Sequence, residues 1–228
     1  MLPTMDTETL QSLWPPKQGA KRTGRWLRHR GFRALAEHYQ RSNPGVPWMP
    51  QSAVEILADM VKSSDRCLEW GSGDSTTWLS RRTASILSAE HDPEWYDRTR
   101  GQLAAQGDDP TKVRLLSVEP RDRPAESPYV RVIDEFEPGQ LDICFVDGEH
   151  RAACVFEAIP KLASGGLLIV DDAQSFLDHP SRCTYAPYSR QGLGPVDDDW
   201  RRISELLADW RLIWTGDGYS DAAFWIKP

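Results

Sequence analysis

The chain has 228 residues, 39% hydrophobic and 27% charged, with a net charge of −7, which fits one ordinary folded domain with a substantial core and excludes a disordered or fibrous chain. No stretch approaches the ~18–20 consecutive apolar residues that cross a bilayer, and the opening MLPTMDTETLQSLWPPK has neither a basic nor an apolar signal region, so a cytoplasmic location is expected, with no membrane partner. Cys67, Cys144, Cys154 and Cys183 form no CxxC pair and have no His at zinc spacing, which argues against structural zinc and a disulfide framework.

Residues 1–50 read as an N-terminal extension rich in Pro, Trp and basic side chains. Between Lys17 and Arg41 eight Lys/Arg face the single acid Glu37, and Trp26, Phe32, Leu35, Ala36 and Tyr39 recur at a spacing that predicts a short amphipathic helix over 24–40. Residues 51–228 then alternate regularly. A helix is predicted at 52–62, followed by strands at 66–70, 85–90, 112–118, 141–147 and 167–171. Between them lie helices at 75–82, 93–106, 129–136 and 151–162. The stretch 173–198 has no clear period, as expected of a lid or binding loop. A helix at 199–209 leads to strands at 211–215 and 222–227 joined through Gly216-Asp217-Gly218. The expectation is an α/β fold: a Rossmann-like, seven-stranded, mostly parallel sheet with helices on both faces and an antiparallel C-terminal strand pair.

The chemistry concentrates where strands end. Cys67-Leu-Glu-Trp-Gly-Ser-Gly-Asp-Ser-Thr-Thr-Trp78 is an apolar strand that closes on an acid and turns through Gly71 and Gly73 into a helix; such glycines let backbone approach a ligand, and the helix start offers free N–H groups. The next strand ends in Glu90, 21 residues after Glu69, where a carboxylate accepts hydrogen bonds from ribose hydroxyls. Together these point to a nucleoside-containing ligand. A nicotinamide dehydrogenase uses the same architecture, but its sites need a third glycine to clear a pyrophosphate, and here Asp74 and Ser75 crowd that position.

The chain resembles the class I S-adenosylmethionine-dependent methyltransferases over residues 45–228, through Glu69-Trp-Gly-Ser-Gly73, Ser88-Ala-Glu-His-Asp-Pro-Glu-Trp95, the strand ending Asp147-Gly-Glu-His150, and the Gly-Gly lead-in to Asp171-Asp172. The resemblance implies that Glu69, Gly71, Ser72, Gly73 and Ser75 hold the methionine part of the cofactor and that Glu90 holds the ribose. His91, Ser117, Val118 and Asp147 complete the cofactor set.

Asp147, His150, Asp171 and Asp172 fall beyond the carboxyl ends of two neighbouring strands, and carboxylates so crowded call for a cation such as Mg²⁺ or for protons. Asp-Gly-x-His followed by an acidic pair is similar to the metal-dependent O-methyltransferases of macrolide-sugar and catechol type. That likeness implies Asp147, Asp171 and Asp172 as metal ligands and, with no lysine suitably placed, His150 as the base beside Asp147. Relatives with Asn at the position of Asp172 leave the metal open. The expected reaction is methyl transfer to a hydroxyl of a sugar, polyketide or phenol. A non-catalytic nucleotide-binding assembly module, or a methyltransferase of RNA or protein, are the other readings. The basic segment packs on the acidic domain or on a second copy, touches nucleic acid, or receives an anionic acceptor; the acidic balance of the whole chain disfavours nucleic acid.

Overall fold

A computed structural model describes residues 20–109, 111–181, 183 and 189–228. In chain order the elements are α1 (Ala20–Ser42), α2 (Gln51–Met60), β1 (Arg66–Trp70), α3 (Asp74–Ser80), β2 (Ser85–Glu90), α4 (Pro93–Gln106), β3 (Val113–Ser117), α5 (Pro128–Arg131), β4 (Leu141–Val146), α6 (Arg151–Lys161), β5 (Leu162–Val170), α7 (Asp198–Leu206), β6 (Arg211–Gly216) and β7 (Asp221–Ile226). The strands form one seven-stranded sheet in the order β3-β2-β1-β4-β5-β7-β6, with β7 antiparallel to both β5 and β6. This is the sheet expected from the sequence. Chain order reverses between β1 and β4, and the carboxyl ends of that pair are where open α/β sheets leave a crevice.

Alternation along each strand builds two cores. Leu68, Trp70, Leu87, Ala89, Cys144, Val146, Leu168 and Val170 pack on one face with Tyr129, Val155, Ala158 and Ile203 from α5, α6 and α7. Cys67, Ile86, Ile143, Phe145 and Ile169 pack on the other with Leu57, Leu79 and Leu103 from α2, α3 and α4. Central strands buried on both faces are why the sequence runs there are continuously apolar. All four cysteines are buried. No helix among the described residues is long and apolar enough to cross a membrane.

Local chemistry sets the element ends. Asp92 caps α4 by accepting the N–H groups of Glu94 and Trp95 at 2.8 and 3.2 Å, Pro93 occupies the first turn, and Gly107 closes the helix in the left-handed region at φ 68°. The helix expected at 129–136 is instead one α turn followed by a 3₁₀ turn at Val132–Glu135. Tyr129, Val130, Val132 and Ile133 are all buried, and a 3₁₀ turn aligns i with i+3, sending these pairs the same way. Strand β5 starts at Leu162 rather than 167, because Leu162 pairs with Leu141 before a register shift carries Leu167 opposite Ile143. Helix α1 rests on the turn between β6 and β7: the Phe32 ring lies against Gly218, and the His29 ring lies 5.2 Å from that of Tyr219.

Candidate active site

At the crevice the loops after β1 and β4 meet backbone to backbone. Gly71 donates its N–H to the Ala89 carbonyl at 2.9 Å, and Asp147 donates to the Trp70 carbonyl at 2.9 Å. Gly71 has φ +92°, and a Cβ there would lie 2.9 Å from the Asp147 carbonyl group and the Gly148 nitrogen. Gly148 is equally constrained, since a Cβ on it would run into the Tyr129 hydroxyl. Gly73 is different: the nearest atoms are those of the Trp95 ring at 3.7 Å, an ordinary contact.

Two buried acids hold this turn. Glu90 Oε2 accepts the Ser72 N–H at 2.6 Å, while Oε1 accepts those of His91 and Asp92 at 2.8 Å each. Its carboxylate thereby draws the glycine turn onto the end of β2. Glu69 lies wholly buried beneath the turn, its Oε2 accepting the Thr76 and Ser88 hydroxyls at 2.5 and 2.6 Å while Oε1 has no hydrogen-bond partner. Burial pushes its carboxyl up to about 7, against the pull of the Ser75, Ser88 and Thr76 hydroxyls. Ser72 and Ser75 are buried in the same turn. His91 bridges acids on two loops, with Nδ1 3.1 Å from Glu90 and Nε2 3.8 Å from Glu149. Ser117 pairs with Glu90 across the β2–β3 register, and the Val118 N–H reaches the Glu90 carbonyl at 2.8 Å. Trp70 belongs to the core: it is fully buried and donates from Nε1 to the Tyr129 carbonyl at 2.9 Å.

On the acceptor side, His150 caps α6 in the left-handed region at φ 51°, and its Nε2 lies 2.9 Å from the Arg121 carbonyl oxygen. A carbonyl only accepts, so Nε2 carries a proton, and in the neutral ring Nδ1 keeps its lone pair. Asp172 also has φ 51°, and its Oδ1 accepts from Gln174 at 3.0 Å. Two non-glycine residues in this region, one after each strand, mark a strained site.

Burial pushes the Asp147 carboxyl up to about 7, with Asp172 and Glu90 adding to the rise and Arg151 opposing it; 34% of the side chain remains exposed, so water screens part of that effect. Asp171 is 5% exposed with Oδ1 unpartnered, and its carboxyl is raised by burial and then by Asp147 and Asp172.

Asp147, Asp171 and Asp172, expected as ligands of Mg²⁺, do not make a metal-holding group. Among the described residues no three His, Cys, Asp or Glu side chains are arranged to hold an ion. Asp171 is turned inward, and Asp147 Oδ1 is taken by Arg151 at 3.0 Å. The sequence reading had not singled out Arg151, although its place four residues after Asp147 is an available signal. Beside it opens a cavity of about 480 Å³, lined by Glu149, His150, Arg151, Phe176, Asp197 and Trp200 among others; Phe176 and Trp200 stack with centroids 4.9 Å apart.

The loop after β5 is tied to itself. Asp178 accepts the N–H groups of Gly192 and Gly194 at 2.7 and 3.1 Å, and the Arg190 guanidinium donates to the Gly194 carbonyl at 3.0 Å. His179 stacks on Trp214 at 4.3 Å. Arg182, Tyr185 and Tyr188, in the stretch 173–198 expected to serve as a lid or binding loop, lie outside the described residues.

Residues 68–173 match the family described as a methyltransferase domain. Solved structures with the same class I fold include three that are 10–16% identical to this chain, a likeness of fold alone. A methyltransferase from Geobacter sulfurreducens is 15% identical and covers 100% of this chain and 98% of its own, with a TM-score of 0.54. A candidate caffeoyl-CoA O-methyltransferase from Staphylococcus aureus is 16% identical over 86% of this chain and 91% of its own, with a TM-score of 0.55. A candidate methyltransferase from Streptococcus mutans, solved with S-adenosylhomocysteine, is 10% identical over 76% of this chain and 94% of its own, with a TM-score of 0.53. No curated protein matches the sequence.

Proposed function

We propose that the protein is an S-adenosylmethionine-dependent methyltransferase that methylates a hydroxyl of a small molecule seated in the cavity beside His150. The observation that carries the cofactor reading is the charge of the glycine turn. Asp74 stands at the first position of α3, where a phosphate would bind, and Gln102 fixes its carboxylate at 2.9 Å. An acid there repels a pyrophosphate and suits a cationic, phosphate-free nucleoside. The Gly71 surface, which a Cβ would fill, and the Glu90 carboxylate, which has acceptor capacity beyond its three amides, fit such a ligand.

The cofactor supplies an electrophilic methyl on a positive sulfur. The chain's own residues supply alignment and proton transfer. Glu90 holds the nucleoside end and Gly71 allows close approach. His150 Nδ1 takes the acceptor's proton while the Arg121 carbonyl holds the ring in the right tautomer. Asp147, with its carboxyl raised toward neutrality, stands between the two sites. The Phe176–Trp200 pair offers a flat apolar wall for a ring, with polar side chains around it to orient hydroxyls.

Calorimetric titration tests the reading. S-adenosylmethionine is expected to bind at micromolar concentration and NAD⁺ not at all. Glu90→Ala is expected to weaken binding at least tenfold, because it removes the ribose acceptor and orphans three N–H groups, each worth about 1–3 kcal/mol when buried. Equal affinity in parent and Glu90→Ala refutes the ribose assignment. Binding without turnover on any hydroxylated acceptor refutes the catalytic reading and favours an assembly module.

A further inference from the structure

We infer that Arg151 is the resident cation of the acceptor site, fastening the loops after β4 and β5 beside the acids that follow those strands. The inference deepens the proposed function and rests on that reading only for its catalytic consequence. Strands β4 and β5 are neighbours, with Val146 opposite Val170, so the loops that carry Asp147 and Asp171-Asp172 leave the sheet side by side. Three carboxylates in that space need a positive charge or protons.

The Arg151 guanidinium provides one and spends it on both loops. Nη2 donates to the Asp147 carboxylate and to the Asp147 carbonyl, each at 3.0 Å; Nε donates to the Gly148 carbonyl at 3.0 Å; Nη1 donates to the Asp171 carbonyl at 2.5 Å. The fork reaches carbonyls of two loops at once, which a flexible ammonium matches poorly. Its plane is backed by Phe176, 5.3 Å from the guanidinium carbon to the ring centroid, and the side chain is 17% exposed. This is a built arrangement.

Two consequences follow for the site. Arg151 is the residue after His150, so the bonds that tie it to Asp147, Gly148 and Asp171 also set the first turn of α6 and hold the His150 backbone in its left-handed conformation. Arg151 is therefore a positioning residue for the base. A guanidinium also offers no open coordination place and cannot polarise a hydroxyl as a Lewis acid does, so activation of the acceptor falls to His150. The cavity wall formed by Phe176 is braced by the same side chain.

The test is thermal melting of the parent, Arg151→Met and Arg151→Lys, each in chelator, in Mg²⁺ and in Mn²⁺. The parent is expected to melt at the same temperature in all three. Arg151→Met is expected to melt several degrees lower in chelator and not to recover with Mg²⁺ or Mn²⁺, because the carboxylates left behind are not arranged to hold an ion among the described residues. Arg151→Lys is expected to fall between the two and to show little divalent response. A saturable rise of the parent's melting temperature with Mg²⁺, or a fall in chelator, overturns the inference, as does an Arg151→Met protein that melts like the parent. Should Arg151→Met fail to fold, the parent series and Arg151→Lys still decide. No cofactor or acceptor is present in these measurements, so failure of S-adenosylmethionine to bind refutes the proposed function and leaves this result standing.

Discussion

The two glycines of the β1 turn look equivalent in sequence but differ in what their backbones touch, and alanine substitution separates them. Gly71→Ala places a side chain at φ +92°, which costs about 1–2 kcal/mol. The new Cβ would lie 2.9 Å from backbone atoms of Asp147 and Gly148, so relief requires moving the β4 loop, at a cost of about 1–3 kcal/mol. Reduced freedom of the unfolded chain returns about 0.4–1 kcal/mol. The net loss is about 1–4.6 kcal/mol, or roughly 2–18 °C in Tm for a chain of this size. Gly73→Ala meets only the Trp95 ring, at 3.7 Å, and its φ of 173° suits any residue; its Tm is expected to change by less than about 2 °C. Differential scanning calorimetry of both variants, with urea unfolding alongside, measures the difference. Equal melting of Gly71→Ala and the parent would refute the claim that the loops after β1 and β4 are locked together through this position.

Three further outcomes follow from the same geometry. The folded Glu69 carboxyl, raised from 4.5 to about 7, binds its proton more tightly than the unfolded one. Stability should therefore fall by about 3 kcal/mol as pH rises from about 4.5 to about 7. Glu69→Gln should flatten that slope in a Tm-versus-pH series, and parallel curves for parent and variant count against it. At His150, glycine relieves the left-handed backbone and alanine does not, so His150→Gly should be more stable than His150→Ala by up to about 1 kcal/mol. Both substitutions should slow single-turnover methyl transfer by about 10²–10⁴-fold; unimpaired turnover in either removes His150 as the base. Phe176→Ala opens the cavity wall and should raise KM for a ring-bearing acceptor more than it lowers kcat, and an unchanged KM would move the acceptor elsewhere.

The sheet was legible because its strands obey simple rules: 66–70 and 85–90 are short apolar runs with turn residues at both ends, and the structure has strands at those limits. The start of β5 was not, because Ala163-Ser-Gly-Gly166 has the composition of a turn while long-range pairing with Leu141 makes it strand. In the site, Glu90 and the glycine turn stand at adjoining strand ends, as strand-end position implied. The acid cluster misled for a physical reason: spacing locates carboxylates but not the charge that satisfies them. Arg151 supplies that charge through backbone carbonyls of Asp147, Gly148 and Asp171, and carbonyls carry no sequence signature. Tyr129 was read only as an apolar helix position, whereas its hydroxyl sits against Gly148 and fixes how small that residue must be.

The seating of helix α1 on Gly218 and Tyr219 has a bearing on how the chain is made. The helix is synthesised well before the turn that receives Phe32. Its basic face must stay soluble while nearly the whole sheet is assembled without it. Docking then becomes a late closure that reports completion of the β6–β7 hairpin.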